Sequence, residues 1–314
     1  MFKRELRIGL PHTNYNQLAE HLLMKCVGAF HWDAIAEVMG IPLSKARTVD
    51  GREIYATFFY IETLFPSERP ACGFKLDDDV EFFGVLRAFK NMSVEGQWVF
   101  DHKGSIEQLL LESGDVIDED IRRRHPFIRF GNVFISLRGS NSNLKVSPPA
   151  NASFTGFKKL PNEENPYQLV RDAGAKGTFG LFSAVEVWKR IDSGASYNMM
   201  YEISPDRDSN GAGLVYFANY FAFMDSAERK ALEKISGKRC FTRSEINGRT
   251  LRERRMGYFG NADLTDSIRI EVDCYSCEED SGLLGLRYRI FRVSDGMLIC
   301  LSEAIKTLGS RENT

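Results

Sequence analysis

Blocks of hydrophobic and polar positions follow one another along the chain and predict its first structural elements. Residues 6–10 predict a short strand, which ends at a polar break over residues 11–14. From residue 18 to residue 39, apolar side chains recur at helical spacing, and Gly40 is a suitable helix stop. Runs rich in aromatic and β-branched residues then predict strands at residues 54–65, 74–90, 93–100 and 127–137.

The second half of the chain repeats this order of elements. A predicted strand at residues 199–203 leads into a polar turn at residues 208–213 and then into an apolar stretch. In that stretch, the near-helical spacing of four apolar residues predicts a second long helix that ends at about residue 235. These four residues are Leu214, Phe217, Phe221 and Met224. Further strands are predicted at about residues 250–259, 267–275, 285–292 and 298–304.

One long helix beside several antiparallel strands, present twice, predicts an α+β fold with two similar domains. Residues 139–165 are rich in Ser, Asn and Pro, and residues 167–192 after them are predicted to be partly helical. We therefore assign one domain to residues 1–140 and the other to residues 141–314, with a linker at 141–165. Because each domain supplies the other's partner, we expect a monomer and leave a homodimer open.

Composition narrows the classes of function. The chain has 314 residues, of which 43% are hydrophobic and 27% charged, and its net charge of -2 offers no basic field to nucleic acid. No segment is apolar for 18 residues, and the first residues lack the apolar core of a signal peptide. Six cysteines in a chain of this length do not predict a disulfide framework. We therefore expect a cytoplasmic protein that contacts neither membrane nor nucleic acid.

The polar turn in the second half carries the first candidate chemistry. A helix start exposes backbone N–H groups, and here they would lie beside the side-chain amide of Asn210. Together with the amides of Gly211, Ala212 and Gly213, that side chain could hold an oxygen on which negative charge develops. The alternative interpretation is a helix start that needs glycine for a tight turn.

This stretch is similar to the start of the central helix in hot-dog-fold thioesterases. The residues in register with their motif are Gly213, Val215, Tyr216, Asn219 and Tyr220. Asn210 stands where those thioesterases carry a catalytic aspartate. Since an amide cannot act as a carboxylate base or nucleophile, the difference favours stabilisation of an enolate or oxyanion over hydrolysis.

The whole chain resembles the leinamycin-type bifunctional acyltransferase/decarboxylase family of polyketide biosynthesis. The resemblance rests on Trp32-Asp33, residues 55–60, Ser140-Asn141 and the Asn210 motif. It implies a double hot-dog fold, in which each of two long helices is wrapped by an antiparallel sheet. It also implies an enzyme that takes methylmalonyl from CoA, decarboxylates it and passes propionyl to an acyl carrier protein.

The resemblance further implies site residues. Asn210 corresponds to an asparagine that holds the thioester or enolate oxygen. Tyr55 is the first match for a tyrosine that carries the acyl group, and Tyr60 is the second. Without the resemblance, either tyrosine would be taken as a packed strand residue. A hot-dog thioesterase or dehydratase, and a non-catalytic acyl-thioester binding module, remain the alternatives.

Two further residues were considered for substrate binding. His12 occupies the position in the first half that corresponds most nearly to Asn210, so it would line a second, degenerate site or belong to an ordinary turn. Arg255 lies with Arg252 and Arg254 on one predicted strand, where it would meet CoA phosphates or belong to a solvated face.

The sequence predicts no metal centre. Cys274-Tyr275-Ser276-Cys277 is a lone C-x-x-C motif, and a zinc site needs about four ligands. No phosphate-binding loop or nucleophile elbow occurs in the sequence. We therefore expect no cofactor beyond the CoA thioester that serves as substrate.

Overall fold

The computed structural model describes residues 1–15, 17–106, 117–136, 140–141, 144–183, 187–192, 194–235 and 241–309. In these ranges the helices span Glu20–Met39 (α1), Glu119–Arg124 (α2), Pro166–Lys176 (α3), Pro205–Asp208 (α4), Asn219–Ile235 (α5) and Arg243–Asn247 (α6). The strands of the first half span Phe2–Arg7 (β1), Thr13–Asn14 (β2), Gln17–Leu18 (β3), Tyr55–Leu64 (β4), Asp79–Phe89 (β5), Ser93–His102 (β6) and Phe127–Ser136 (β7). Those that follow span Lys145–Val146 (β8), Lys158–Lys159 (β9), Trp188–Arg190 (β10), Tyr197–Glu202 (β11), Thr250–Tyr258 (β12), Ser267–Cys277 (β13), Leu283–Arg292 (β14) and Leu298–Thr307 (β15).

One sheet runs through both halves of the chain. Over the described ranges it has 13 strands, and its main path has the order β1-β5-β6-β7-β4-β12-β15-β14-β13-β10. Neighbours along this path are antiparallel, so the hydrogen-bond ladders need no crossover helix. The first five strands of the order come from one half and the last five from the other, which makes β4 and β12 the junction.

The two long helices lie against this sheet in one shared core. Apolar side chains of α1, such as Met24 and Val27, belong to the same buried cluster as Phe221 and Met224 of α5. Gly40 ends α1 with a φ of 71°, a left-handed cap that glycine adopts without strain. Each half thus has one long helix on an antiparallel sheet, as the predicted double hot-dog fold requires. None of the helices in the described ranges is long and apolar enough to cross a membrane.

The junction between the halves, which we call the seam, is short. Strands β4 and β12 pair only from Leu64 opposite Glu253 to Tyr60 opposite Gly257. The N-terminal part of β4, from Tyr55 to Phe58, still pairs with β7 but does not pair with β12. The sheet therefore opens at this end of the seam.

Helix α3 covers the seam from the face opposite the long helices. Its residues Val170 and Ala173 form a separate cluster with Phe59 and Tyr60 of β4. The segment before α3 packs on the first half, since β8 pairs with β7 and β9 pairs with β5. The predicted linker therefore contributes structure, while the domain boundary at residue 140 stays a prediction.

Three predicted boundaries lie four or more residues from their positions in the structure. The first strand spans Phe2–Arg7 instead of residues 6–10, because Leu10–His12 forms a 3-10 turn. The strand predicted from residue 74 begins at Asp79. The second long helix begins at Asn219 instead of Leu214, since residues 209–215 close into a turn. Leu214 is a buried side chain of this turn, and its spacing from Phe217 and Phe221 does not reflect a helix that begins at residue 214.

Candidate active site

The turn that precedes α5 is a tight hairpin. Ser209 and Val215 form an isolated antiparallel bridge, and Asn210 N donates to Leu214 O at 2.9 Å. Gly213 N donates to Asn210 O at 2.9 Å, and the Gly213 φ of 74° is one that a side chain would strain. The glycine of the motif is thus required by the turn and not by a helix start.

The Asn210 side chain has different partners at its two ends. Its Oδ1 accepts hydrogen bonds from Ala212 N at 3.0 Å and from Leu214 N at 3.1 Å. This fixes the amide orientation, so Nδ2 points away from the turn and donates to Tyr55 Oη at 2.9 Å. The amides of Ala212 and Gly213 are already bonded within the hairpin, which corrects the expectation that they would serve a ligand oxygen.

Two other asparagines hold the hairpin in place. Asn141 Nδ2 donates to Gly213 O at 2.8 Å, which gives the Ser140-Asn141 motif a structural task. Asn261 exchanges two hydrogen bonds with the Val215 backbone, at 3.2 Å and 3.1 Å. No local pattern in the sequence marks Asn261, because its partner Val215 lies far away in the chain.

Tyr55 begins β4, where the seam is open. Burial, reinforced by the nearby Tyr216, raises the pKa of the Tyr55 hydroxyl well above its ordinary value, so the group stays protonated at neutral pH. Because Oη accepts from Asn210, its own proton remains free to be donated. The Trp32 ring meets the Tyr55 ring edge-on, with centroids 6.0 Å apart. The pair therefore presents an oriented O–H donor.

That donor faces a cavity of about 310 Å³ at the open end of the seam, which we call the seam cavity. Much of its wall is aromatic, from Trp32, Phe58, Phe217, Tyr220 and Tyr258. Helix α3 contributes Arg171, the one charged residue among the described residues that line it. No Asp, Glu or His belongs to this described lining, so it offers neither a carboxylate nor an imidazole base.

A second cavity, which we call the outer cavity, shares part of this wall. It measures about 720 Å³ and shares Trp32 and Tyr55 with the seam cavity. Its other walls are Leu43, Ser44, Arg52, Glu53, Ile54, Ala56, Gly211 and Ala212. Trp32 Nε1 is buried and has no hydrogen-bond partner in the described part of the chain. Such a group is rare in folded proteins.

Four of the predicted site residues line neither cavity, namely Tyr60, Gly213, His12 and Arg255. Tyr60 packs under Phe179 with ring centroids 6.2 Å apart, on the face covered by α3, and lines neither cavity. Arg255 forms ion pairs with Glu62 at 3.5 Å and Glu253 at 3.0 Å in the paired part of the seam. Tyr55, Asn210, Gly211 and Ala212 are thus the predicted residues that the fold brings together.

The opposite end of the seam holds a second seam cavity of about 290 Å³ with a different lining. Charged groups around it include Glu20, Asp225, Arg229, Arg249 and Lys306. The buried Glu228 carboxylate pairs with Arg249 and accepts from Lys306 Nζ at 2.7 Å. His12 is not among the described residues that line this cavity, and its Nδ1 accepts from Gly9 N at 2.9 Å within its own turn. This end of the seam is a network of ion pairs.

Comparisons with known proteins show what the fold is similar to. No protein family model and no curated protein sequence matches the chain. A protein assigned as an oleoyl thioesterase from Lactobacillus plantarum superimposes with a TM-score of 0.62 and 10% identity, covering 99% of this chain and 97% of that chain. The 12:0-ACP thioesterase from Umbellularia californica gives 0.59 and 12%, covering 98% of this chain and 94% of the other. An acyl-ACP thioesterase from Bacteroides thetaiotaomicron gives 0.56 and 10%, covering 97% of each.

These similarities extend over the full length of both chains. They show that the protein has the double hot-dog fold, which confirms the fold predicted from the sequence. At such low identity they show the fold alone. The chemistry has to be argued from the side chains at the seam.

Proposed function

We propose that the chain acts on acyl thioesters, decarboxylating a malonyl-type thioester and passing the remaining acyl group to an acyl carrier protein. The observation that carries this proposal is the Asn210–Tyr55 hydrogen bond at the wall of an apolar cavity. The bond orients a protonated hydroxyl, and the described lining supplies no base. Decarboxylation needs an oxyanion donor and no base, so the site fits it.

The residues perform the first step as hydrogen-bond donors. Loss of CO₂ breaks a carbon–carbon bond, and its electron pair moves onto the thioester oxygen as an enolate. Tyr55 donates to that oxygen, while Asn210 Nδ2 holds the phenol in place. One preset donor of this kind typically contributes about 2.7–4 kcal/mol. The enolate carbon then takes up the proton of the Tyr55 hydroxyl, and the phenolate that remains is reprotonated from solvent.

Hydrolysis is the second candidate, because the three structural neighbours described above are named as thioesterases. It requires a group that activates water or attacks the thioester, usually a carboxylate or an imidazole. The described lining of the seam cavity contains neither, and the carboxylate on the wall of the outer cavity, Glu53, forms an ion pair with Arg47 at 3.3 Å. This chemistry is the reason for preferring decarboxylation.

One assay separates the candidates. The protein is incubated with methylmalonyl-CoA, with and without acyl carrier protein, and the products are followed by mass spectrometry. Release of CO₂ together with propionyl carrier protein supports the proposal. Free methylmalonic acid and CoA would instead identify a thioesterase, and absence of turnover would leave an acyl-thioester binding module.

Substitutions at the pair provide the first prediction. Tyr55→Phe keeps the ring contacts but removes the donor, so we expect decarboxylation to slow by about 10²–10³. Asn210→Asp would retain one oxygen for the hairpin amides, while the other takes the Tyr55 proton. We expect a loss at least as large. Tyr60→Phe is the matched control, since Tyr60 lines neither cavity, and should stay near the wild-type rate.

The same samples test the role implied by the resemblance. A tyrosine that carries the acyl group would show as a mass adduct on the intact protein after brief exposure to methylmalonyl-CoA. The raised pKa of Tyr55 opposes its attack as a phenolate, so we expect no adduct. Digestion that maps an adduct to Tyr55 or Tyr60 would restore the acyl-enzyme mechanism.

A further inference from the structure

The seam cavity and the outer cavity share Trp32 and Tyr55 in their walls. Such a pair of cavities is suited to the two thiols of an acyl transfer, that of the donor CoA and that of the acceptor. We propose that the donor CoA thioester occupies the seam cavity while the acceptor's phosphopantetheine arm occupies the outer cavity, so that transfer takes place in a ternary complex. This inference rests on the proposed function, since only an acyl transfer needs a second thiol. Tyr55 and Trp32, which line both cavities, mark where the arms meet.

The size of the seam cavity supports separate sites. A dry cavity of about 150 Å³ holds a benzene molecule, which corresponds to roughly 25 Å³ for each heavy atom. By that measure the seam cavity, at about 310 Å³, takes roughly twelve heavy atoms. This is enough for a branched malonyl group and the first atoms of one pantetheine arm. A second arm requires space elsewhere, and the outer cavity, at about 720 Å³, supplies it.

Each cavity also has an exposed arginine on its wall. Arg171 of α3 lines the seam cavity, and Arg52 lines the outer cavity beside its partner Asp50. Both thiol arms carry phosphate, on CoA in one case and on phosphopantetheine in the other. A guanidinium binds phosphate through a pair of parallel hydrogen bonds. Arg52 is therefore suited to the phosphate of the acceptor arm, whereas the CoA phosphates lie beyond the atoms that the seam cavity holds.

The chemistry at the meeting point balances without an enzyme-bound acyl group. The acceptor sulfur attacks the thioester carbon, a carbon–sulfur bond forms, and the carbonyl electron pair moves onto oxygen. Tyr55 Oη–H is the donor available to that oxygen. Collapse then breaks the bond to the CoA sulfur, and the acceptor's thiol proton ends on that sulfur.

Steady-state kinetics test this arrangement with propionyl-CoA as donor and pantetheine as acceptor, so that transfer is isolated from decarboxylation. A ternary complex predicts intersecting lines when one substrate is varied at fixed levels of the other. Parallel lines would overturn the inference. Decarboxylation of methylmalonyl-CoA without acceptor is measured alongside, so that a failure of the proposed function is recognised separately.

Substitutions on opposite walls locate the two arms. Leu43→Trp reduces the outer cavity, and we expect it to raise the KM for pantetheine by about tenfold with a smaller effect on propionyl-CoA. Val146→Trp on the wall of the seam cavity is the matched variant and should do the reverse. If both variants raise the same KM, the arms share one cavity and the inference is wrong. Thermal unfolding of each variant shows that the effect is local.

Arg52→Ala adds a test that depends on the phosphate. We expect it to raise the KM for the phosphopantetheinylated carrier protein, while the KM for pantetheine, which lacks phosphate, stays the same. An equal change for both acceptors would exclude Arg52 as a phosphate ligand. Together with parallel lines in the kinetics, that result would remove the outer cavity from the mechanism.

Discussion

At the scale of single residues, His31 shows what a buried polar side chain demands of its neighbours. Its Nδ1 accepts from Trp98 Nε1 at 3.3 Å, so Nε2 carries the hydrogen and lies 2.6 Å from Asn132 Oδ1. A Cβ at Gly96 would collide with the imidazole ring, which explains the glycine in β6. The ring is bonded in its neutral form and has no room for rearrangement.

This environment predicts a dependence of stability on pH. Burial lowers the pKa of His31 from 6.5 to about 4. The unfolded chain therefore binds a proton below about pH 6.5 that the folded chain binds only near pH 4. The free energy of unfolding should fall as the pH drops through this window, by about 3 kcal/mol in total.

The matched variant is His31→Phe, which keeps a ring against Phe58 and Phe130. Other groups titrate in the same window, so the measured quantity is the difference in slope between wild type and variant in urea unfolding from pH 7 to pH 4. The variant should lose this part of the slope. Equal slopes would contradict the prediction.

At the scale of elements, a bulge in β4 places two consecutive side chains, Phe59 and Tyr60, in one cluster on the same face of the sheet. The register of β4 against β7 shifts between Phe58 and Tyr60. Ile61 then returns to the core under the long helices, whereas Phe59 and Tyr60 share the cluster under α3. The sequence could not show this, since a continuous aromatic run hides the alternation that marks strand faces. It is also why sequence alone left Tyr55 and Tyr60 open.

The residue opposite the bulge offers a prediction. A Cβ on Gly131 would lie 2.7 Å from Phe59 Cζ, a ring that also lines the seam cavity. Gly131→Ala should therefore displace this ring, lower the free energy of unfolding by about 1–3 kcal/mol and alter the KM for the acyl thioester. Gly73→Ala is the control, because its Cβ would meet Pro70 at an ordinary 3.8 Å. Unchanged unfolding of the Gly131 variant would contradict the argument.

At the scale of the whole molecule, the halves were easier to predict than their junction. Periodicity along the chain located α1 and most of the long strands, because those signals are local. The pairing of Leu64 with Glu253 has no local signal, and neither does the position of Trp32 between two cavities. The motif drew attention to Asn210, whose Nδ2 donates to Tyr55 in the structure. The hydrogen bonds that occupy the nearby backbone amides depend on a turn geometry that residue spacing cannot show.

The junction predicts that neither half folds well alone. Residues 1–140 by themselves would expose the seam edge of β4 and the part of α1 that contacts the second half. We expect this fragment to aggregate, and co-expression with residues 141–314 to recover a soluble complex. Size-exclusion chromatography and urea unfolding provide the measurement. A soluble, cooperatively unfolding monomer from the first fragment would contradict this expectation.

The unlike ends of the seam have a consequence for ligand counting. In a homodimer with twofold symmetry, the two ends of such an interface are identical by necessity, and any change at one is copied to the other. Joining the halves in one chain removes that constraint. Here one end carries the Tyr55–Asn210 pair, and the other carries the Glu228 ion pairs. A titration of the Leu43→Trp variant, whose outer cavity is reduced, with a non-reactive acyl-CoA ether should therefore saturate at a single equivalent per chain.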